Sequence, residues 1–288
     1  MHQQDLQSST RDELLRHLPV AERRVDVDGI PTSVLEGGQG PLLLLIHGGT
    51  QAGALVWWRV LPELCGRYRV IAPDLPGLGA SEPMDNFDSE GFGRWLRRLV
   101  DHACDEPPTL IAHSAPAALT ARFAARCGDL LRGLVLVDAT GLGPFRPSPA
   151  FLLAVLRFTV RPSRRNLERF NRWPYLDPDR SRTHDRERHE AIDDYVLARA
   201  SLPHVKRTMR RVIKAGTEQI PDTELQRIDL PTALVWGSHD RMAPLGHAQE
   251  TSARFGWPLT IIDGAGHLPH VEQPDAFVEA VAGSAGGA

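Results

Sequence analysis

The stretch TLIAHSAPAALTARFAAR, residues 109–126, carries the strongest fold signal in the chain. Its first part is a short apolar run that ends at His113, which predicts a buried β-strand. The part after Ser114 is rich in alanine, the residue with the highest helix propensity, and predicts a helix that starts at once. A serine at such a strand-to-helix corner sits on a sharp turn that exposes its Oγ. The stretch therefore predicts a reactive serine at Ser114.

Two later positions supply the partners that such a serine needs. A serine hydroxyl does not ionise at neutral pH and requires a base within hydrogen-bond reach. His267 follows a Gly-Ala-Gly turn after the last apolar run, and Asp240 follows the preceding run. Serine, then aspartate, then histidine is the chain order found with this type of corner. We therefore predict Ser114 as nucleophile, His267 as general base and Asp240 as the carboxylate that orients the imidazole.

Three other residues compete for these roles. Asp138 ends the fourth apolar run and is a rival to Asp240 as the acid. His239 adjoins Asp240, and His270 lies three residues beyond His267, so each is a rival base. Neither rival histidine follows the Gly-Ala-Gly turn, which favours His267.

Six short apolar runs bounded by Gly, Pro or Asp predict buried strands. They are Leu42–His47, Arg69–Pro73, Thr109–His113, Gly133–Asp138, Thr232–Trp236 and Leu259–Asp263. Most of their starts are 24 to 40 residues apart, a spacing that suits strand-helix-strand crossovers and a parallel sheet. Ahead of them, an Asp28-Gly29 turn between two alternating segments predicts an antiparallel hairpin at the sheet edge. The predicted fold class is α/β, a mostly parallel twisted sheet of about eight strands with helices on both faces.

One gap between predicted strands is much longer than the others. The fourth and fifth runs start 99 residues apart, and the excess carries helical patches broken by prolines. This segment is basic, with 17 Arg and Lys against 8 Asp and Glu over residues 141–216. We predict an inserted helical cap over the carboxyl ends of the strands, where ligands bind in α/β folds. The predicted organisation is an N-terminal helical arm at 1–20, a core at 21–140 and 217–282, the cap at 141–216 and a flexible tail at 283–288.

Four segments of the sequence together resemble the motifs of a known family. Ile46–Gly49 follows the first buried strand, and Asp74–Ser81, DLPGLGAS, follows the next. The serine corner at Ser114 and the later pair Asp240 and His267 are the third and fourth segments. In these features the chain resembles the α/β-hydrolase fold, and its pattern is most similar to capped bacterial serine esterases, lactonases and carbon–carbon bond hydrolases.

The resemblance extends from about Val25 to Ala282, and it is incomplete around the serine. The two glycines that usually flank the corner are Ala112 and Pro116 here. Proline disfavours the α region for the residue before it, so Pro116 predicts a shifted conformation at Ala115. The missing N–H of Pro116 itself is harmless in a first helical turn.

An acyl-transfer mechanism also needs donors for the oxyanion that develops in the transition state. Ala115, the residue after the nucleophile, supplies one backbone N–H, and Gly49 is the second predicted donor because glycine lets substrate approach the backbone closely. Four aromatic residues are predicted to contact substrate. They are Trp57 and Trp58, just after the oxyanion loop, and Trp173 and Tyr175 in the cap.

These features predict a cofactor-free serine hydrolase that cleaves a small, largely apolar ester or lactone through an acyl-enzyme on Ser114. Hydrolysis of a carbon–carbon bond next to a ketone by the same residues stays open. A third alternative, from another class, is a ligand-binding or cyclase-like protein that keeps the residues without hydrolysis. Pro116 is the feature that favours it.

Composition gives no reason to expect a partner other than a small-molecule substrate. A net charge of −3 gives no reason to expect nucleic acid, and no His/Cys cluster has metal-ligand spacing. The three cysteines, Cys65, Cys104 and Cys127, predict reduced thiols. No signal-peptide pattern and no apolar run of membrane-spanning length occur, so we expect a cytoplasmic protein without a membrane partner. A homodimer stays open.

Overall fold

A computed structural model describes residues 10–183 and 185–285 and shows eight strands in a single sheet. The strands are β1 (Ala21–Val27), β2 (Ile30–Gly37), β3 (Leu42–Ile46), β4 (Arg69–Pro73), β5 (Thr109–His113), β6 (Gly133–Val137), β7 (Thr232–Gly237) and β8 (Leu259–Ile262). Their order across the sheet is β1-β2-β4-β3-β5-β6-β7-β8. From β4 to β8 all neighbours are parallel, whereas β1 and β2 run antiparallel to the strands beside them. The predicted fold class is confirmed.

The edge hairpin forms where the sequence predicts it. Asp28 and Gly29 both have positive φ, at 57° and 78°, as the central residues of a two-residue type I′ turn require. Asp26 supports the turn by accepting the Gly29 N–H through its carboxylate at 2.8 Å.

The helices in the described part of the chain cover both faces of the sheet. They are α1 (Leu61–Arg67), α2 (Ser89–Ala103), α3 (Ser114–Cys127), α4 (Pro149–Val160), α5 (Arg164–Asn171), α6 (Pro178–Thr183), α7 (Arg186–Ala200), α8 (Pro203–Gly216), α9 (Asp222–Leu225), α10 (Leu245–Phe255), α11 (Pro269–Glu272) and α12 (Pro274–Ala285). Residues 10–15 are also helical, and two short 3₁₀ helices span Gly53–Trp57 and Gly128–Leu130. None of these helices has the length and apolar content to cross a bilayer.

Strand β3 shows why the buried strands read as continuous apolar runs. Leu42, Leu44 and Ile46 pack into one core layer, together with helices α2, α3 and α10. Leu43 and Leu45 point to the opposite layer, which α1 and α12 cover. Because successive side chains of a strand point to opposite faces, a strand covered on both faces needs apolar residues at every position.

Residues 141–216 lie between β6 and β7 and contain α4 to α8, which we call the inserted segment. It packs closely on the core, since a Cβ on Gly216 would collide with the backbone oxygen of Ala115 in α3. Helix α3 is rich in alanine on this side, and the small side chains allow the close approach. Its role as a cap stays a prediction.

The two ends of the chain are only partly described. Residues 1–9 of the predicted arm and residues 286–288 of the predicted tail lie outside the described residues. Within the described residues, α12 continues to Ala285, so residues 283–285 are helical and not part of a flexible tail. The Ser284 hydroxyl donates to the Ala280 carbonyl at 2.8 Å within this last turn.

Candidate active site

Ser114 lies at the corner between β5 and α3. Its φ is 62°, a left-handed conformation that is unusual for a residue with a side chain and that is often found at functional sites. Gly48 makes room for the corner, because a Cβ there would collide with the His113 ring and lie 3.2 Å from the Ser114 Cβ. Helix α3 begins at Ser114 and includes Ala115 and Pro116, so the missing proline N–H falls in the first helical turn and costs no hydrogen bond. The conformational shift predicted for Ala115 does not prevent it from joining the helix.

The three predicted residues form one hydrogen-bonded chain. The Ser114 Oγ lies 2.8 Å from the His267 Nε2, and the His267 Nδ1 lies 2.7 Å from the Asp240 Oδ2. The other Asp240 oxygen accepts the backbone N–H groups of Met242 and Ala243, at 2.7 and 3.0 Å. Since the carboxylate accepts the Nδ1 proton, Nε2 is the ring nitrogen left to accept the serine proton.

The two rival histidines take no part in this chain of hydrogen bonds. His239 is exposed, and its Nδ1 is 2.8 Å from the Ser238 hydroxyl. His270 is fully buried against Trp57, with 4.5 Å between ring centroids, and burial lowers its pKa to about 3. Both ring nitrogens of His270 lack a hydrogen-bond partner among the described residues.

Asp138 places a second carboxyl group beside the hydrogen-bonded residues Asp240 and His267. Its Oδ1 accepts the Gly237 N–H at 2.9 Å, and one of its carboxyl oxygens lies within 4.8 Å of a carboxylate oxygen of Asp240 and of a ring nitrogen of His267. Burial and the neighbouring Asp240 carboxylate raise the pKa of Asp138 well above its ordinary value. Two buried carboxyl groups this close do not both ionise, and we assign the proton to Asp138, leaving Asp240 as the carboxylate.

The same three residues, Asp138, Asp240 and His267, are the one group of potential metal ligands found among the described residues. Two of its members are already committed to each other, because the His267 Nδ1 and the Asp240 Oδ2 share a hydrogen bond of 2.7 Å. With Asp138 protonated, the group offers a single carboxylate charge. The donor set therefore fits a proton relay better than a divalent cation, which needs deprotonated ligands.

Two buried histidines hold the loops of the site: His113, to which sequence reasoning gave no role, and His47. The His113 Nε2 donates to the His267 backbone carbonyl at 2.7 Å, which ties the histidine loop to the serine corner. Burial and the neighbouring His270 and His267 rings lower the pKa of His113 well below its ordinary value, so it stays neutral. His47 donates from Nδ1 to the Gly48 carbonyl and accepts the Leu75 N–H at Nε2, at 2.7 and 2.9 Å.

Asp74 anchors the loops on the other side of the serine. Its carboxylate accepts the backbone N–H groups of Ala54 and Ala80 at 2.6 and 2.7 Å. It also pairs with the buried Arg11 guanidinium at 2.8 Å. A Cβ on Gly79 would collide with this carboxylate, which explains the glycine in the loop after β4.

The inserted segment reaches the histidine loop directly. The His267 backbone N–H donates to the Pro174 carbonyl at 2.7 Å. Beside it, Glu272 accepts the Gly266 N–H through one oxygen and the Leu176 N–H through the other, at 2.7 and 2.8 Å. The side chain of Glu272 therefore links the inserted segment to the loop that carries His267.

Two cavities adjoin Ser114. The first, about 130 Å³, is lined by Trp58 and Tyr175 together with Ser114 and His267. The other two predicted aromatic contacts differ. Trp57 lines neither cavity, because its ring is fully buried in the core against His270.

Trp173 lies at two neighbouring grooves that do not contain Ser114. Its ring packs edge-on against Phe151, with 5.4 Å between centroids. The predictions that Trp57 and Trp173 contact substrate are therefore corrected: the first packs in the core and the second faces a different groove.

The second cavity, about 190 Å³, is the more apolar of the two. It lies between the Ser114 corner and the inserted segment, and sequence reasoning missed the wall that α8 provides. The missed residues from α8 are Val205, Lys206, Met209, Arg210 and Ile213. Their spacing marks one face of a helix, which is a readable signal, but the sequence does not say what that face meets.

The predicted oxyanion donors lie beside the serine. Gly49 lines both cavities with Ser114, and Ala115 lines the larger one. A Cβ on Gly49 would make only ordinary van der Waals contacts, the nearest with Met209 at 3.5 Å, so the space beside the Gly49 backbone is open. Substrate can therefore approach the Gly49 backbone from the cavity.

Comparison with known proteins places the chain among hydrolases. A family model described as the alpha/beta hydrolase family matches residues 43–280. A 2-hydroxy-6-oxo-6-(2'-aminophenyl)hexa-2,4-dienoic acid hydrolase of Metapseudomonas resinovorans is 27% identical over 280 residues, 90% of this chain and 89% of the relative. A pimeloyl-[acyl-carrier protein] methyl ester esterase of Aeromonas hydrophila is 26% identical over 259 residues, 86% of this chain and 97% of the relative.

Solved structures share the fold over the full length. A carboxylesterase from Bacillus subtilis superposes with a TM-score of 0.83 at 20% sequence identity, covering 100% of both chains. This likeness concerns the arrangement of the backbone.

Proposed function

We propose that this chain, which belongs to the alpha/beta hydrolase family, hydrolyses carboxylic esters or lactones through an acyl-enzyme intermediate on Ser114. The observation that carries the proposal is the hydrogen-bonded chain from Ser114 through His267 to Asp240, with distances of 2.8 and 2.7 Å. It begins at a serine that lines two cavities and ends at a buried carboxylate. Hydrolases and esterases among the relatives agree with the reaction class.

In the first half-reaction the Ser114 Oγ attacks the ester carbonyl carbon while the His267 Nε2 takes the hydroxyl proton. The oxyanion that forms then collapses and breaks the bond to the alcohol oxygen, which takes the proton back from His267. In the second half-reaction water attacks the acyl-Ser114 ester with His267 again as base. The acid leaves, and Ser114 regains its proton.

Two protein features stabilise the charges of this sequence. Asp240 lies against the imidazolium that forms twice per turnover, and a charge-assisted hydrogen bond there is stronger than a neutral one. The backbone N–H groups of Ala115 and Gly49 are the proposed donors to the oxyanion. Both act in a region largely closed to water, because Ser114 is only 8% exposed.

The cavities set the proposed substrate class. The larger one offers about 190 Å³ between apolar residues such as Phe151, Val155, Phe158 and Met209, which favours a small, largely apolar acyl group. The inserted segment provides most of these walls, so we propose that it acts as a cap that selects substrate.

The test is reaction with a fluorophosphonate probe, which labels only an activated serine, together with hydrolysis of p-nitrophenyl esters of increasing acyl length. We expect labelling at Ser114 and hydrolysis, with both lost in Ser114→Ala. Ester turnover by Ser114→Ala at a near-normal rate would overturn the acyl-enzyme mechanism. A protein that takes no label and shows no turnover would instead be a binding or cyclase-like member of the fold.

A second candidate, hydrolysis of a carbon–carbon bond next to a ketone, has one specific observation in its favour. Lys206 and Arg210 line the larger cavity, and none of the described residues that line it is acidic, so an acidic substrate is accommodated there. The dienoic acid hydrolase relative has a name that implies such a substrate. Comparing turnover of a vinylogous 1,5-diketo acid with that of a simple ester separates the two candidates.

A further inference from the structure

The outer face of helix α4, Pro149–Val160, is apolar and uncovered. Six large hydrophobic side chains are exposed in the described part of the chain, and four of them lie on this helix. They are Leu152, Leu153, Leu156 and Val160, exposed by 51%, 44%, 58% and 70%. A fifth, Ile213, is 37% exposed on α8 and lines the same larger cavity as Leu152.

The spacing of these residues marks a continuous stripe. Positions 152, 153, 156 and 160 follow the period of a helix and share one side of it. The opposite side carries Ala154 and Phe158, which are buried, and Phe158 stacks on Phe170 of α5 with 5.8 Å between ring centroids. We call Leu152, Leu153, Leu156 and Val160 the outer stripe. A helix that is apolar on all sides is normally covered on all sides, so the outer stripe lacks a partner among the described residues.

The charge around the outer stripe indicates what covers it. Residues 141–176 contain seven arginines and one acidic residue, Glu168, although the chain as a whole has a net charge of −3. Arg146 precedes the helix, Arg157 and Arg161 flank the stripe, and Arg165 follows; all four are exposed. Within the described residues none of these four forms an ion pair, whereas the neighbouring Arg164 pairs with Asp194.

We propose that the outer stripe docks the protein onto an anionic lipid surface. Leucine and valine side chains enter the boundary between headgroups and acyl chains, and the surrounding arginines meet the anionic headgroups. A peripheral contact of this kind needs no spanning segment. The expectation of no membrane partner rested on the absence of a signal-peptide pattern and of a membrane-spanning run, and a peripheral contact requires neither.

The larger cavity opens beside this surface. Leu152 is both a member of the outer stripe and a wall of the cavity that contains Ser114. An apolar ester dissolved in the lipid surface therefore has a short apolar path to the serine. This consequence rests on the proposed function, whereas the docking itself does not.

The experiment measures co-sedimentation of the Ser114→Ala protein with vesicles, so that no hydrolysis alters the lipid. The vesicles are phosphatidylcholine alone or an equal mixture with phosphatidylglycerol. We expect binding to the anionic vesicles, and we expect Leu153→Asp to weaken it about tenfold or more, because a charge replaces an apolar side chain that enters the lipid in the docked state. The matched control is Ile261→Asp on β8, which is also 44% exposed but lies outside the outer stripe, and which should bind like the parent.

Charge reversal provides an independent arm. Arg161→Glu should weaken binding to anionic vesicles several-fold, whereas Arg24→Glu on the edge strand β1 should leave it unchanged. Failure of the parent to bind anionic vesicles, or equal loss in the stripe and control variants, would overturn the proposal. Sedimentation equilibrium showing a dimer that Leu153→Asp dissociates would assign the stripe to a second copy instead.

The failure of docking and the failure of the proposed function are distinguishable. Hydrolysis of p-nitrophenyl acetate, which is water-soluble, should be the same in otherwise wild-type protein and in Leu153→Asp, since Leu153 does not line the cavity of Ser114. Retained hydrolysis without vesicle binding refutes only the docking. Vesicle binding without fluorophosphonate labelling refutes only the serine-hydrolase assignment.

Discussion

Replacing Asp240 by asparagine tests which carboxyl group supports His267. Asp240 makes three hydrogen bonds: its Oδ2 faces the His267 Nδ1 at 2.7 Å, and its Oδ1 accepts two backbone N–H groups at 2.7 and 3.0 Å. Both oxygens face donors, so either orientation of an asparagine places its NH₂ group against an N–H group. In the orientation that keeps the two backbone bonds, the NH₂ forces His267 into the other tautomer. Nε2 then carries a proton and no longer accepts one from Ser114.

The magnitude follows from the burial of the pair. The His267 side chain is 3% exposed and that of Asp240 is 0% exposed, so water does not screen their interaction. Loss of the carboxylate in comparable serine–histidine–aspartate sites lowers kcat by about 10⁴-fold through the wrong tautomer. We therefore expect Asp240→Asn to lower kcat by about 10³- to 10⁴-fold, which equals about 4 to 5.5 kcal/mol of transition-state stabilisation.

Asp138→Asn is the matched control, because Asp138 lies beside the same pair but is the protonated carboxyl group. Asparagine keeps the oxygen that accepts the Gly237 N–H, and its NH₂ group takes the place of Oδ2, which has no hydrogen-bond partner among the described residues. We expect kcat to fall by less than about tenfold, which is less than about 1.4 kcal/mol.

The control also carries a pH prediction for stability. Because the pKa of Asp138 is higher in the folded than in the unfolded protein, the folded state holds an extra proton above the usual Asp pKa of about 3.9. The contribution of Asp138 to stability is therefore fully present below that pH, and it is lost as pH rises through the folded-state pKa. Urea denaturation at several pH values should show this decline in the wild type and not in Asp138→Asn.

The assay is steady-state hydrolysis of p-nitrophenyl acetate, with the rate of fluorophosphonate labelling as a second measure of serine activation. Circular dichroism establishes that both variants are folded. If Asp138→Asn proves far more damaging than Asp240→Asn, the supporting carboxylate is on β6 and our assignment is wrong.

Three further predictions concern the walls and supports of the site. Glu272→Gln replaces one of the two carboxylate oxygens that accept the Leu176 and Gly266 N–H groups by an NH₂ group, at a cost of about 1–3 kcal/mol for the buried N–H left unpaired. We expect kcat for p-nitrophenyl acetate to fall, and an unchanged kcat would mean that the link does not position His267. Trp57→Ala should lower the free energy of unfolding by about 3–5 kcal/mol in urea, whereas Trp58→Ala should mainly change KM and the ranking of esters; the reverse pattern would exchange their roles. Dialysis against EDTA should leave activity intact, and loss that zinc restores would show a metal at Asp138.

Several features of the fold could be predicted from local sequence. The buried strands appear as uninterrupted apolar runs because both faces of the sheet are covered, and the hairpin appears because few residues tolerate positive φ at positions 28 and 29. The same local reasoning found the corner at Ser114, since a strand pattern changes there to a helix pattern. It placed the start of the flexible tail too early, at residue 283, because the glycines and alanines at the end of the chain are also typical of a flexible tail.

The contacts within the site were harder to predict from local sequence. Trp57 and Trp58 are adjacent in sequence, yet one is in the core and the other faces a cavity, because the rotation of a 3₁₀ helix against the sheet decides which side chain points inward. The roles of His113 and Glu272 depend on backbone groups far along the chain, and a lone polar residue gives no signal of such a partner. The exposure of α4 was equally hidden, since an apolar helix predicts burial.

The sequence by itself determined the α/β architecture, the order of its elements and the residues Ser114 and His267, and it favoured Asp240 over its rival Asp138, because these follow from backbone periodicity and from the chemistry each residue type permits. The tertiary structure alone decided that Asp240 and not Asp138 faces His267, which walls enclose the serine, and that the outer stripe of α4 is uncovered. Ser114 and His267 are 153 residues apart in the chain and 2.8 Å apart in space. Distances of this kind depend on how whole elements pack, and packing is fixed by the sum of many contacts rather than by any local pattern.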